Sequence, residues 1–510
     1  MSVEKIRIEE VCDIYPLTSV QKGILYHSLC DGDGMYLENV SLRLHGSLCP
    51  EIVEKAWQAV TDHNDCLRTV FRWEGLDTPV QIVLKKVPIA MEFYTQKDTP
   101  PAVQFDLHQV PFLIRLVCLS ELDYIMSIYT HHILLDGWST SILIEEFIMF
   151  YSRIISGDKS AISNKKNEFK EYVYEADKNQ NEYWNEYLHN YKEREFLPRS
   201  SPDELKNDSC PHCPLYFRIP KSEITNFSQK WKITLSALAN ACWALLYHTI
   251  LGTEDVLFGT TVSTRTTEYS HSATGLFINT IPFRLKIDKK DTVLDILMKS
   301  LQSANSRLEY EKTSLSDIKK SVGFLDDQEL FDTIVVVENY PVATAIGQRF
   351  GGLIIEGVTS FERNNYALCL GVDYKEEEVQ FSFLYDSSAY TSKYVEKLMK
   401  QFEIIIRQVL IDPNKPLGQL SFIDQPQQIK IQRFSQNQFY EEKYSPNSIL
   451  TNFDRVVALY ADRIAIKFWD QTVTYRELSA LTYVNGAMIA SACREEPVSY
   501  THLDVYKRQI

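Results

Sequence analysis

The chain has 510 residues, of which 45% are hydrophobic, 12% aromatic and 24% charged. That apolar content supports a large buried core and excludes disorder of the whole chain, and at about 100–200 residues per domain the length corresponds to two to four structural units. A formal net charge of -15, from 53 basic and 68 acidic side chains, argues against nucleic acid or an anionic membrane surface as the main partner.

From the N-terminus, MSVEKIRIEE lacks the apolar segment of a secretory signal. Tyr124–Thr130 reads as a strand, and residues 141–155 place Leu143, Phe147, Phe150 and Ile154 at helical spacing, ending near Gly157. The ten cysteines are scattered without a regular framework, which suits a reducing cytoplasm. One CxxC, Cys210-Pro-His-Cys213, follows a polar loop and does not open a helix that would lower a thiol pKa, so it reads as neither redox nor zinc site. Ile233 to Gly252 carries no charge and is long enough to cross a bilayer. Its Leu235, Leu238, Cys242, Leu245, Leu246 and Thr249 follow helical spacing, interrupted by Thr234, Ser236, Asn240 and His248, and it reads as a core helix capped at Gly252.

Further on, Val256–Ser263 and Asp332–Val337 read as buried strands, and residues 392–410 as an amphipathic helix presenting Val395, Leu398, Phe402, Ile405 and Val409. No short-period repeat is present. From Ile411 to about Ser448 the chain turns polar and rich in Gln, Asn and Pro, and Phe453–Ile489 resumes an ordered pattern.

Chemistry concentrates at Tyr129-Thr-His131-His132-Ile-Leu-Leu-Asp136-Gly137-Trp138-Ser139. A strand ends, two histidines follow, then an aspartate and a glycine, and a helix starts near Ser139. Histidine moves protons near neutral pH, a loop between two regular elements holds such a group rigidly, and Gly137 permits a close backbone approach. Two other readings stand beside this one. The histidines serve structure while Asp136 caps the helix, or they bind a metal; adjacent strand residues point apart, however, and no further ligands accompany them.

The segment resembles the signature of the condensation domain of nonribosomal peptide synthetases, and other family motifs follow in order over nearly the first 430 residues. They are Tyr15–Leu29, Asp62-His-Asn-Asp-Cys-Leu-Arg68-Thr-Val-Phe71 (with Asp62 where the family usually has Arg), and the bridging segment Phe169–Leu188 with Tyr172, Gln180, Tyr183 and Trp184. Later come Gly275-Leu-Phe-Ile-Asn279-Thr-Ile-Pro-Phe-Arg284, Leu330–Pro341 and Phe361–Tyr366. The Tyr/Pro-rich motif is weak, at Glu309–Leu315.

The resemblance implies an α/β fold: two chloramphenicol-acetyltransferase-like lobes in a V-shaped pseudo-dimer, with the active site at the lobe interface. It implies amide formation between a donor acyl or peptidyl thioester and the amine of an aminoacyl thioester. Both are carried on the 4′-phosphopantetheine arms of partner carrier domains, upstream donor and downstream acceptor, with no metal and no directly bound cofactor. His132 would be catalytic, as general base or as a positioning group. A backbone N–H near Gly137 would receive the oxyanion. His131 would be supporting, and Asp136 would form a structural ion pair with Arg265 or, alternatively, Arg68. Trp138, Ser139 and Asn279 are candidates for lining the tunnel; Trp138 reads first as packing, Asn279 equally as a turn former, and Arg284 as an ion-pair residue.

Epimerisation domains share the HHxxxDG core, and a domain that only docks carriers is a third reading; Gly137-Trp138-Ser139 favours condensation, with a donor of either configuration. Plant acyltransferases sharing HxxxD would need a late DFGWG motif, which does not occur.

The expected division is a short lead over residues 1–12, an N-lobe over 13–185, a C-lobe over 186–430, a linker over 431–450, the start of an adenylation domain over 451–490 and a tail over 491–510. Phe453–Lys467 and Val473–Leu478 resemble the opening of adenylation domains, without the segments their activity needs. The lead resembles an acceptor docking segment, implying a donor supplied in trans by another synthetase subunit. The tail resembles one that recurs on unrelated sequences, and is read as a sequencing or assembly artefact.

Overall fold

The computed structural model describes residues 6–30, 36–158, 168–176, 181–191, 196–206, 208, 215–267, 269–324, 328–338, 345–362, 366–435, 449–468 and 471–492. Cys210 and Cys213, Gln180, residues 339–341 and 363–365 of the later motifs, most of the expected linker (436–448) and most of the tail (493–510) lie outside them. The chain divides into two compact units, Met1–Ile423 and Asp424–Ile510.

The first unit begins with β1 (Val11–Pro16), α1 (Ser19–Cys30), β2 (Leu37–Gly46), α2 (Pro50–His63), β3 (Thr69–Arg72), β4 (Val80–Leu84), β5 (Met91–Thr95), β6 (Phe112–Cys118), β7 (Asp123–His131) and α3 (Gly137–Ser156). There follow α4 (Glu168–Ala176), α5 (Asn181–Tyr187), α6 (Pro202–Lys206), β8 (Leu215–Pro220), α7 (Lys221–Trp231), α8 (Leu235–Leu251), β9 (Asp255–Ser263), β10 (Ile278–Lys286) and α9 (Val293–Arg307). It closes with α10 (Leu315–Ser321), β11 (Thr333–Glu338), β12 (Arg349–Phe350), β13 (Leu353–Glu362), β14 (Leu368–Tyr374), β15 (Glu378–Tyr385) and α11 (Ser392–Ile411).

Two six-stranded sheets organise this unit, in the orders β12-β13-β2-β7-β6-β5 and β10-β9-β11-β14-β15-β8, with a small β1-β4-β3 sheet beside them. Each has its own core. In the first lobe, β2 buries Val40, Leu42 and Leu44 on one face, the period-two pattern of a half-covered sheet. Helices α2 and α3 pack together there, with Trp57 stacked on Phe147 at 4.9 Å between ring centroids. In the second lobe, α8 and α11 cover the sheet. The uncharged run expected as a core helix is α8; Leu235 and Ala237 through Tyr247 are all buried, which is why no polar face survives in its sequence. Gly252 caps it at φ +72°. Among the described residues no single helix is long and apolar enough to cross a membrane.

The lobes are not contiguous in sequence. Strand β13, from the second half, pairs with β2 from Leu353↔Gly46 to Glu362↔Glu38, so residues 345–362 belong to the first lobe's sheet and core. Ala273, Leu276 and Phe277 also enter that core. A lobe boundary drawn at 185/186 omits this exchange, because strand periodicity records that a face is buried but not which sheet buries it.

In the second unit, α12 (Gln425–Ser435) and α13 (Ile449–Tyr460) precede an antiparallel hairpin, β16 (Ile464–Phe468) and β17 (Gln471–Thr474), and α14 (Tyr475–Ala492). Thr474 and Glu477 exchange hydrogen bonds at the start of α14, the reciprocal pattern of a capping box.

Candidate active site

Strand β7 ends at His131, and the next five residues turn the chain into α3 without leaving the protein interior. The backbone N–H of His131 donates to Pro111 O at 3.1 Å and that of His132 to Tyr36 O at 2.8 Å, tying the turn to the chain just before β6 and β2, the two strands that flank β7. The two imidazoles then diverge. His131 Nδ1 accepts the Ile133 N–H at 3.2 Å, so its proton sits on Nε2, 3.2 Å from Ser28 Oγ. Burial, and then the neighbouring His132 charge, push His131 down to about 3, and it stays neutral at physiological pH.

His132 has the opposite tautomer. Its Nδ1 lies 2.9 Å from Leu135 O, and a carbonyl only accepts, so Nδ1 carries the proton and Nε2 is the basic nitrogen. Such a ring can take a proton at Nε2 or orient a donor there. Sequence reading missed a neighbour. Glu38 of β2 is 8% exposed and brings Oε2 to 4.0 Å from His132 Nδ1. The signal was present, since Glu38 occupies the same buried strand face as Val40, Leu42 and Leu44.

Asp136 faces away from this chemistry. Its side chain has no exposed surface, and Arg265 Nη2 donates to both carboxylate oxygens, at 2.9 and 3.1 Å. The same carboxylate accepts the Ser139 N–H at 2.8 Å, capping α3, and the Phe277 N–H at 2.9 Å. The capping and ion-pair readings thus both describe Asp136. The Arg265 guanidinium also donates to Ala273 O, Ser270 O and Ser139 Oγ, and lies 4.2 Å over the Phe277 ring. Arg68 is engaged elsewhere, with Asp65 at 2.5 Å and the carbonyls of Thr61 and Leu84.

The three residues expected along the tunnel all hydrogen-bond to backbone groups. Ser139 is fully buried; its hydroxyl donates to Gly275 O at 2.7 Å and accepts the Gly275 N–H at 3.0 Å. Asn279, also buried, donates to the carbonyls of Glu311 at 2.8 Å and Thr313 at 2.7 Å, pinning the chain ahead of α10 to β10. Trp138 is half-buried, and its indole N–H donates to His271 O at 2.9 Å. Gly137 is the first residue of α3, where a backbone N–H has no acceptor within its own helix. Arg284 pairs with Asp255 at 2.5 Å, as an ion-pair residue should.

Among the described residues neither histidine of the signature joins a ligand cluster. Among the described residues, the three-residue grouping able to hold a metal is His45, Asp123 and Glu356, on β2, β7 and β13.

A family model described as "Condensation domain" matches residues 11–432. Tyrocidine synthase 2 of Brevibacillus parabrevis is 28% identical over 503 residues, covering 92% of this chain and 14% of that protein. The chain therefore spans about a seventh of the length of that relative. Among solved structures, the starter condensation domain of the rhizomide synthetase matches 81% of this chain with a TM-score of 0.66 at 18% identity, covering 100% of that chain. A four-domain nonribosomal peptide synthetase bound to AMP and glycine matches 97% of this chain and 40% of its own length, with a TM-score of 0.69 at 17% identity. These neighbours share the two-lobed, chloramphenicol-acetyltransferase-like α/β fold expected from the sequence.

Proposed function

The chain belongs to the condensation-domain family of nonribosomal peptide synthetases, and on that premise we propose that it forms an amide between a carrier-bound acyl or peptidyl thioester and the amine of a carrier-bound aminoacyl thioester. The observation that carries the assignment of residues is the His132 tautomer, with Nδ1 held by Leu135 O and Nε2 left basic. As the amine nitrogen attacks the donor carbonyl carbon, the C=O π pair moves to oxygen and Nε2 takes the amine proton. The oxyanion is received by the backbone N–H at Gly137, where the α3 N-terminus favours negative charge. When the C–S bond breaks, its electron pair leaves with sulfur, which takes the proton back from the imidazolium.

Both substrates are carried on 4′-phosphopantetheine arms of partner carrier domains, the donor carrier upstream (in trans if residues 1–12 are an acceptor docking segment) and the acceptor carrier downstream. The domain itself binds no cofactor or metal, contacts neither nucleic acid nor membrane, and works in the cytoplasm. Residues 451–490 are the opening of an adenylation domain. The helix–hairpin–helix order of the second unit supports this, as do Ile464, Ile466, Leu481, Tyr483 and Val484, exposed apolar residues that the rest of such a domain would cover.

The test is incubation of the full chain with separately loaded donor and acceptor carriers, with products identified by mass. We expect an amide-linked thioester from wild type and a loss of at least about 100-fold in His132→Ala. Wild-type yield from that variant would overturn the role of His132. A D-aminoacyl carrier without amide would show an epimerase, and carrier binding without turnover a docking domain.

A further inference from the structure

Resting on the reading of His132 as the reactive base, we infer that Glu38 is its positioning residue: the buried carboxylate biases the imidazole toward the state that has taken the amine proton. The placement follows from register. Glu38 pairs with Thr130 across β2 and β7, two residues before His132, and shares the buried face of β2 with Val40, Leu42 and Leu44. Carboxylates are rarely left on such a face without a use, because removing one from water is costly. Here Oε2 stands 4.0 Å from His132 Nδ1, with both side chains about 10% exposed.

The division of labour at Nδ1 is physical. Leu135 O, at 2.9 Å, sets the tautomer and the ring plane but carries no net charge. Glu38 supplies the charge. It does little for the neutral ring and stabilises the imidazolium formed in the transition state, because opposite charges at this separation attract. Among the described side chains on the surrounding elements, the other titratable groups do not supply that charge. His131 on β7 stays neutral, Asp136 at the head of α3 is spent on Arg265, and His27 on α1 packs its ring against Tyr36. Strand β13 brings Glu362 to the register position opposite Glu38.

The experiment uses the full chain and single-turnover amide formation between carriers loaded from a panel of synthetic aminoacyl-coenzyme A donors and acceptors. In Glu38→Gln, which keeps shape and loses charge, the plateau rate falls about 10-fold or more and the acid limb of the pH–rate profile moves down by about 1 unit, with KM unchanged. In the His132→Ala background the same substitution changes nothing further, because Glu38 acts only through that ring. Glu38→Asp, which keeps the charge but withdraws it by one methylene, gives an intermediate limb and guards against misfolding of the glutamine variant. A wild-type plateau and limb in either folded variant overturns the inference. If His132→Ala is inactive while the Glu38 variants match wild type, the inference about Glu38 alone fails. If His132→Ala is fully active, the assignment of His132 fails and Glu38 falls with it.

Discussion

Asp136→Ala tests whether the signature aspartate locks the head of α3 to the segment between β9 and β10. In the folded protein its carboxylate meets the Arg265 guanidinium twice, the Phe277 N–H and the Ser139 N–H, with no exposed surface on Asp136 and 2% on Arg265. Removing one partner of a buried pair costs about 3–5 kcal/mol, because the other charge stays behind unneutralised. Loss of the helix cap costs about 1 kcal/mol more. The two losses sum to about 4–6 kcal/mol, while Arg265 keeps Ala273 O, Ser270 O and Ser139 Oγ. Unfolding entropy of about 2.1 cal/mol/K per residue, over the Met1–Ile423 unit, gives about 0.9 kcal/mol/K, so the midpoint should fall by about 4–7 °C. Thermal unfolding followed by near-ultraviolet circular dichroism reads this directly. Asp136→Asn, which preserves the cap and removes the charge, should fall between wild type and alanine. A midpoint within about 1 °C of wild type for Asp136→Ala would refute the lock and return the residue to a direct chemical role.

The remaining expectations concern neighbours of this site. Asn279→Ala should lower stability by about 2 kcal/mol through the two carbonyls it leaves unmet, with KM for either carrier unchanged; a raised KM at wild-type stability would make it a tunnel residue after all. Gly275→Ala would set a Cβ 2.6 Å from Phe169 Cγ, a ring wedged against Phe277 and Tyr172, and should cost about 1–3 kcal/mol in chemical denaturation; an unchanged midpoint would contradict that packing. His131 is depressed to about 3 in the folded chain, below its ordinary value near 6.5. Its contribution to stability is therefore full above about pH 6.5 and is lost as pH falls toward 3, so wild type should lose more stability than His131→Gln between about pH 7.5 and 5; equal losses in both would refute the neutral, buried assignment.

Individual elements were legible where burial is one-sided or complete. The spacing over residues 141–155 found the body of α3 and its end at Gly157, and the uncharged run 233–252 found α8, because each pattern is set by a single helix meeting a single core. The start of α3 was read two residues late, since Gly137 and Trp138 are poor helix formers and the cap comes from the Asp136 side chain. What periodicity could not reveal is exchange between lobes. Strand β13 looks the same whether it edges one sheet or the other, and only the paired register with β2 shows where it lies. Site residues divided in the same way. His132 and the Asp136–Arg265 pair came from an ordered motif. The backbone partners of Ser139 and Asn279 were not legible, because a polar residue beside a signature reads identically whether its hydrogen bonds go to substrate or to a backbone 136 or 32 residues away.

The Asp136 lock and the His132 ring are joined through one peptide. Leu135 O fixes His132 Nδ1, and the following residue, Asp136, is held by the segment between β9 and β10: by Arg265, by the Phe277 N–H, and through its own N–H by Gly275 O at 3.2 Å. The carbonyl that selects the imidazole tautomer is thus anchored by residues 265–277, which come from the second half of the chain. Any shift of that segment relative to β7 must be absorbed at Leu135–Asp136, and His132 Nε2 turns with it. A ring held this way keeps its alignment while residues 265–277 stay packed in the first lobe's core, a constraint that a hydrophobic pair of equal volume, often no less stable, would not impose. The charge pair has one accepted direction and spacing, and it transmits that geometry to the ring.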